Sequence, residues 1–167
     1  MLELLEVQVG PKNLSYTLKL SQDLGLSTEE NREAVQKIVG LMPGMLEHVC
    51  ISPAGDSFKD ALVHTDLAHL LEHMVVEILA LSGRVELVCG KTRKLSDSNE
   101  GSVFQTVLSC DDDTLTIAAI SSALWIMEWA LAGGAKPAPN IMAIAEGLGH
   151  MLDSIDRVPH TSTLRAR

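Results

Sequence analysis

The residues with the clearest chemical potential lie in the segment His69-Leu70-Leu71-Glu72-His73. Histidines four positions apart share one face of a helix, so both imidazoles can reach a single metal ion with tetrahedral preference. Glu72 follows His69 by three positions, and its carboxylate could accept a proton from water that the ion has made more acidic. This H-x-x-E-H pattern is the inverted form of the zinc-peptidase helix motif. It predicts a Zn²⁺ site with His69 and His73 as ligands and Glu72 as the catalytic base.

Two histidines leave such an ion short of a protein ligand. His48 is the first candidate for the third ligand. Glu77 is the alternative, but ligands at positions 69, 73 and 77 would extend about 12 Å along the helix axis. Glu77 is therefore interpreted mainly as a group that orients His73 without binding the ion. Cys50 could serve as a soft ligand, although a buried free cysteine more often only packs.

The motif lies within a segment of strong helical periodicity. Asp66 suits the N-terminal end of a helix and Gly83 suits its end, so a helix is predicted between them. Its apolar residues recur at spacings of three and four: Leu67, Leu70, Leu71, Met74, Val75, Ile78 and Leu79. The alternative interpretation is an exposed helix with two polar histidines and a solvated glutamate. The apolar residues on both sides of the motif favour the metal site.

The other elements must position this helix. Four segments have the apolar pattern of strands: Leu2–Val9, Ser15–Leu20, Val85–Cys89 and Val103–Cys110. Three more segments are predicted helices: Ser27 (a cap paired with Glu30) to about Val39, Asp112–Leu131, and Pro139 to about Ile155. Residues 44–65 are predicted to be an irregular loop, and residues 91–101 a polar connection.

Paired strands followed by helices predict an α+β fold. We expect a two-layer sandwich, with a mainly antiparallel sheet of about four strands and helices packed on one face. The length of 167 residues suits one domain, predicted over residues 1–156 with a flexible tail at 157–167.

The charge of the chain restricts its partners. Acidic residues outnumber Lys and Arg by 22 to 13, giving a net charge of −9, and aromatic residues make up only 3%. Nucleic-acid binding needs clustered basic residues and often aromatic stacking, so no nucleic-acid partner is expected. An acidic protein would attract a cationic ligand instead.

The cysteines and the apolar segments indicate a location. Three widely spaced cysteines, an odd number, are typical of a reducing cytoplasm. The N-terminus lacks the pattern of a signal peptide. No stretch reaches the roughly 18 uninterrupted apolar residues of a membrane span, and residues 115–132, which come closest, are predicted to form a buried core helix. We predict a cytoplasmic protein without a membrane partner.

Four spaced motifs resemble the N-terminal domain of cyanophycin synthetases. The resemblance covers roughly residues 41–110, and the motifs occur in the order of that family: Met42-Pro43-Gly44, Leu46-Glu47-His48-Val49-Cys50, His69-Leu70-Leu71-Glu72-His73 with Glu77, and Gly90-Lys91-Thr92-Arg93. Separately, residues 69–74 are similar to the metal-binding helix of the pitrilysin/insulysin metallopeptidases.

The first resemblance implies a small α/β domain. In some members of that family the domain has a zinc-dependent peptidase activity that cuts the Asp-Arg polymer into primers. By this implication His69 and His73 would be ligands, Glu72 the general base and His48 the leading extra ligand. Arg93 would have a structural or polymer-contacting role. The chain departs from the family pattern at residues 54–58 and 63–66, where a substrate would lie.

The sequence thus predicts a zinc-dependent, peptidase-like metallohydrolase that acts on a cyanophycin-like or Arg-rich peptide. The alternative is a non-catalytic accessory domain that keeps the fold and binds a polymer or a partner. A homo-oligomeric structural module, with the last helix as its interface, is a third interpretation.

Overall fold

The computed structural model describes residues 1–52 and 54–156, so the predicted tail lies outside the described residues. The strands are β1 (Leu2–Val9), β2 (Asn13–Leu20), β3 (Val49–Ser52), β4 (Gly55–Ser57), β5 (Gly90–Ser98) and β6 (Gly101–Ser109). The α-helices are α1 (Arg32–Leu41), α2 (Phe58–Ala61), α3 (Leu67–Leu81), α4 (Asp113–Leu131) and α5 (Ile141–Asp156). Short 3-10 turns cover Gln22–Leu24, Pro43–Glu47 and Leu62–His64.

The main sheet has four antiparallel strands in the order β1-β2-β6-β5. Side chains alternate along a strand, and on β2 one face is buried: Leu14, Tyr16, Leu18 and Leu20. Helix α3 contacts β5 and β6, and α4 contacts β1. The predicted α+β sandwich, with helices on one face of a mainly antiparallel sheet, is confirmed.

The strand predicted at Val85–Cys89 is wrong. This segment has irregular backbone, and the adjacent polar residues form strand β5, which pairs with β6 in a hairpin. Strand β5 lies at the edge of the sheet and eight of its nine residues are exposed. It therefore has no apolar alternation by which the sequence could reveal it. Val85 and Val88 are only partly buried against the core.

The irregular loop predicted at 44–65 is also corrected. The segment contains the β3–β4 hairpin, the short helix α2 and the two turns on either side of them. Each of these elements has only three to five residues. Such lengths are too short for a periodic apolar pattern, which needs a window of roughly 11–18 residues.

Helix α1 begins at Arg32, later than the predicted cap at Ser27. The reciprocal bonds of a capping box do form: the Ser27 N–H donates to Glu30 (3.0 Å) and the Glu30 N–H donates to Ser27 Oγ (3.2 Å). These bonds close an isolated turn and do not begin the helix, because the backbone of the same turn pairs with a distant segment. The Thr28 N–H donates to the Thr65 carbonyl at 2.8 Å.

The same contact fixes the start of α3. The Thr28 hydroxyl donates to the Leu62 carbonyl at 2.7 Å, and the Leu67 N–H donates to the Leu26 carbonyl at 2.8 Å. Thr28 is 3% exposed. The first turn of the motif helix is therefore tied to a segment about 40 residues earlier in the chain.

Helix α4 begins as predicted, with Asp112 Oδ1 accepting from the Leu115 N–H at 2.7 Å. By length and apolar composition it could cross a membrane, and it is the one helix of this kind among the described residues. It packs against α1, α3 and α5, and eight of its residues are buried.

Candidate metal centre

Helix α3 carries three buried polar residues towards the sheet and the 43–58 segment. Glu72, His73 and Glu77 are 4%, 5% and 8% exposed. Burying an ionisable group is costly unless it finds partners. These three therefore cannot be the solvated face of an exposed helix, and their contacts define the site.

Three donor groups converge beside α3. The side chains of Cys50, His69 and His73 each offer an atom, and these atoms all lie within 4.8 Å of one another. Cys50 belongs to β3, where alternation turns it inward while Val49 and Ile51 are 82% and 88% exposed. The structure thus brings the two predicted histidine ligands together with Cys50.

The chemistry of this donor set fits zinc. One sulfur and two imidazole nitrogens are donors that zinc prefers. Zinc bond lengths and a tetrahedral angle place a sulfur and a nitrogen ligand about 3.6 Å apart. The observed distance from Cys50 Sγ to His69 Nε2 is 3.5 Å.

Neighbouring side chains hold both histidine rings. The Thr65 hydroxyl lies 2.7 Å from His69 Nδ1. Phe58, at the start of α2, stacks on the His73 ring with centroids 3.7 Å apart and planes 20° apart. Thr65 and Phe58 were not predicted as site residues, because polar and aromatic side chains near a motif carry no spacing signal.

His48 contacts the site from the other side. Its Nδ1 lies 3.1 Å from His73 Nδ1, and its Nε2 lies 2.9 Å from Glu77 Oε2. His48 therefore reaches His73, but among the described residues Cys50 is the third member of the donor group. Glu77 hydrogen-bonds with His48, whereas no hydrogen bond joins it to His73 among the described residues, so any orienting effect on His73 would pass through His48.

Glu72 points towards the sheet. Its Oε2 accepts a hydrogen bond from the Thr92 hydroxyl at 2.6 Å, and Thr92 also lies 2.7 Å from Thr106 Oγ1. Beneath them the buried Tyr16 hydroxyl has no hydrogen-bond partner among the described residues. Burial raises the pKa of Glu72, while the hydrogen bonds from Thr92 lower it.

Two glycines make room for the buried carboxylates. A Cβ at Gly90 would lie 2.5 Å from Glu72 Oε1, and a Cβ at Gly44 would overlap Glu77 Oε1. Both glycines, with Thr92, belong to the motifs that carry the family resemblance. The family motifs could have drawn attention to Gly44, Gly90 and Thr92. Their spacing in the sequence, however, did not show that these residues approach helix α3.

Burial also sets the protonation of the donors. It lowers the pKa of His73 to about 3, with His69 and His48 acting in the same direction, and lowers the pKa of His69, partly opposed by Asp66. It raises the pKa of the Cys50 thiol, and the Glu72 carboxylate adds to this effect. The histidines are neutral at neutral pH, as metal ligands must be, whereas the thiol needs a nearby cation to ionise.

Arg93 lies apart from this cluster. It follows Thr92, which faces the helices, so it projects from the opposite face of the sheet. There it donates two hydrogen bonds to Gln105 Oε1, at 3.1 and 2.7 Å. With Lys12 and Lys91 it lines a surface cavity of about 620 Å³, whose described lining contains no carboxylate.

Comparison with models of protein families gives a match over most of the chain. The family model described as "cyanophycin synthase-like N-terminal domain" matches residues 15–132, more than half of the chain, and the chain belongs to this family. No curated protein matches the sequence. The similarity to the pitrilysin/insulysin helix remains a prediction from its short motif.

Proposed function

We propose that this member of the cyanophycin synthase-like N-terminal domain family is a zinc-dependent metallohydrolase. Its substrate would be an amide bond of a cyanophycin-like or other Arg-rich peptide. One observation supports this function above others: the donor atoms of Cys50, His69 and His73 lie within 4.8 Å of one another. The same helix carries Glu72 next to His73.

The three donors would hold the ion. Three protein ligands are typical of catalytic zinc sites, in which the fourth position is left for water or substrate. When bound, a zinc ion supplies a Lewis acid that polarises a carbonyl group and increases the acidity of water.

Glu72 would move the proton. Its carboxylate would accept a proton from the attacking water and deliver it to the leaving amine nitrogen. The raised pKa of Glu72 supports this role, because a base works best when its pKa approaches the operating pH. The Thr92 hydroxyl, 2.6 Å from Oε2, would hold the carboxylate in one orientation.

The charge of the protein supports a cationic substrate. At a net charge of −9, the electrostatic field would attract an arginine-containing chain and increase its local concentration. The family match adds to this choice, because it concerns a domain of cyanophycin synthase-like proteins.

Metal content tests the centre first. The purified protein, loaded with zinc and dialysed, should retain about one zinc ion per chain by elemental analysis. The double variant His69→Ala/His73→Ala should lose it. The matched control His64→Ala/His150→Ala removes two exposed histidines and should keep it.

Hydrolysis is tested on the zinc-loaded protein with cyanophycin and with arginine-rich peptides. New amino termini should appear with the wild type and not with His69→Ala/His73→Ala. A zinc-loaded wild type that cuts neither substrate class would refute the proposed activity, even if it holds the metal.

The burial of the site favours a second candidate function. Cys50, Glu72 and His73 are each at most 9% exposed, and a metal held there could serve structure alone. The protein would then be an accessory domain that binds a polymer or a partner. Polymer binding by wild type and Glu72→Gln with equal affinity, and cleavage by neither, would select this function.

A further inference from the structure

Glu77, His48 and His73 form a chain of hydrogen bonds that ends at a candidate ligand. His48 Nε2 lies 2.9 Å from Glu77 Oε2, and His48 Nδ1 lies 3.1 Å from His73 Nδ1. The His48 and Glu77 side chains are 17% and 10% exposed. The chain is therefore largely shielded from water that could compete for its hydrogen bonds.

The contact between the two rings decides which nitrogen of His73 is available to a metal. His73 Nδ1 is occupied by its contact with His48, so Nε2 is the nitrogen that remains. A ring nitrogen that binds a metal carries no hydrogen, so a ligand His73 would keep its hydrogen on Nδ1 and donate it to His48 Nδ1. His48 Nε2 would then carry the hydrogen that points at the Glu77 carboxylate, which can accept it.

The second ligand histidine has the matching arrangement. His69 Nδ1 lies 2.7 Å from the Thr65 hydroxyl, which can accept its N–H, and His69 Nε2 lies 3.5 Å from Cys50 Sγ. Both rings then use Nδ1 for a partner in the protein and retain Nε2 as the free donor atom. Two rings in the same tautomer suit one shared ion.

The backbone leaves space for this arrangement at Gly44. Any side chain there would overlap Glu77 Oε1, so the carboxylate could not take its observed position. Gly44 lies in the turn Pro43–Glu47, and His48 follows this turn directly, just before strand β3. One short segment thus supplies both the imidazole and the space for the carboxylate that holds it.

We infer that His48 and Glu77 are positioning residues that fix His73 in its Nδ1–H tautomer, so that Nε2 is its metal-binding atom. This inference rests on the proposed metal centre but not on hydrolysis. It assigns to Glu77 an indirect role, through His48, and it removes His48 from the set of direct ligands.

Nitrogen-15 NMR of the histidine rings in the metal-free protein tests the tautomer directly. In the wild type His73 should show a protonated Nδ1 and an unprotonated Nε2. In Glu77→Gln the Nε2–H form of His73 should become populated, because His48 loses its charged acceptor. Glu47→Gln changes the same charge beside His48 at an exposed residue and should match the wild type.

Zinc affinity, measured by competition with a chromophoric chelator, tests the consequence. Glu77→Gln should bind zinc about 10- to 100-fold more weakly, the usual effect of losing an outer hydrogen-bond partner, and His48→Phe should do the same. Glu47→Gln should keep the wild-type affinity.

Three results would overturn the inference. They are an Nε2–H tautomer for wild-type His73, unchanged zinc affinity in folded Glu77→Gln, and the absence of zinc binding in the wild type. The last would also remove the proposed function. Zinc binding with the expected tautomer but without hydrolysis would refute only the activity.

Discussion

Glu72 and Glu77 lie five positions apart on one helix, and their surroundings differ in a way that separates their roles. Both are buried, and both approach a glycine that leaves no space for a side chain. Glu72 accepts a hydrogen bond from a neutral hydroxyl on the sheet, whereas Glu77 contacts an imidazole on the 43–58 segment. Because the Thr92 hydroxyl is neutral, the Glu72 carboxylate beside it can still accept a proton from water. The Glu77 carboxylate is bonded to the His48 ring and would fix the orientation of that ring.

The largest expected difference between the two carboxylates is in turnover. Glu72→Gln should lower kcat by about 10²–10⁴-fold, the usual contribution of a general base, and should leave zinc content unchanged. Glu77→Gln should retain most of its kcat once zinc is saturating. The assay is steady-state cleavage of an arginine-rich peptide at several zinc concentrations. Equal kcat values for the two variants would remove the distinction.

The stabilisation of the protein by zinc should also distinguish the two variants, but here Glu77→Gln should show the larger loss. A ligand that binds only the folded state stabilises it in proportion to the logarithm of its affinity. If Glu77→Gln binds zinc 10- to 100-fold more weakly, it should lose about 1.4–2.7 kcal/mol of this stabilisation at a fixed zinc concentration. Glu72→Gln should keep it. Thermal melts with and without zinc measure the difference, and a smaller zinc effect in Glu72→Gln would contradict it.

The two glycines should differ in their tolerance of alanine. At both glycines the nearest atom to an added Cβ is a carboxylate oxygen, the flexible end of the glutamate side chain. At Gly90 the Cβ would also lie 2.8 Å from both Cγ and Cδ of Glu72, whereas at Gly44 the Cδ of Glu77 lies 3.1 Å away. Gly90→Ala should therefore cost more free energy of unfolding, about 2 kcal/mol by analogy with overpacking. Urea denaturation of the metal-free variants measures this.

A helical glycine with open space provides the control for this experiment. A Cβ at Gly40, in α1, would have no neighbour within 4 Å. Gly40→Ala should stabilise the protein by about 0.5–1 kcal/mol, because alanine is the better helix former. Equal losses at Gly44 and Gly90 would show that the two carboxylates move aside equally easily.

The smallest loss of stability is expected at Thr92. Thr92→Val removes the hydroxyl that donates to Glu72 and should cost about 1 kcal/mol of unfolding free energy. Thr92→Ser keeps the hydroxyl and serves as the control. Chemical denaturation measures the free energy of unfolding of both variants. Equal values for Thr92→Val and Thr92→Ser would mean that the hydrogen bond to Glu72 does not stabilise the protein.

The sequence predicted the part of the site that lies on one element. The spacing of His69 and His73 and the apolar residues around them follow the helical period, so the helix and the shared face could be read from the chain. The same was true of helix α4, predicted over Asp112–Leu131, and of strand β2, predicted over Ser15–Leu20, because the side-chain patterns of both are local.

Contacts between elements could not be predicted in this way. Cys50 reaches the histidines because a hairpin of short strands turns it inward, and three or four residues are too few to show alternation. Strand β5 is exposed at the sheet edge and looks polar, so the contact between Thr92 and Glu72 was hidden. Glu77 was assigned to His73 from helical geometry, while the structure pairs it with His48 from another segment.

The pairing of Thr28 with Thr65 has a consequence for motion. Helix ends normally fray, and their first amides exchange with solvent even when the helix centre is stable. Here Leu67 N–H donates to Leu26, and Thr65 is held by Thr28 while its hydroxyl contacts His69. Opening the first turn of α3 requires the 26–28 segment to separate as well. The amide protons of Thr28 and Leu67 should therefore exchange together, at the rate of a larger cooperative unit.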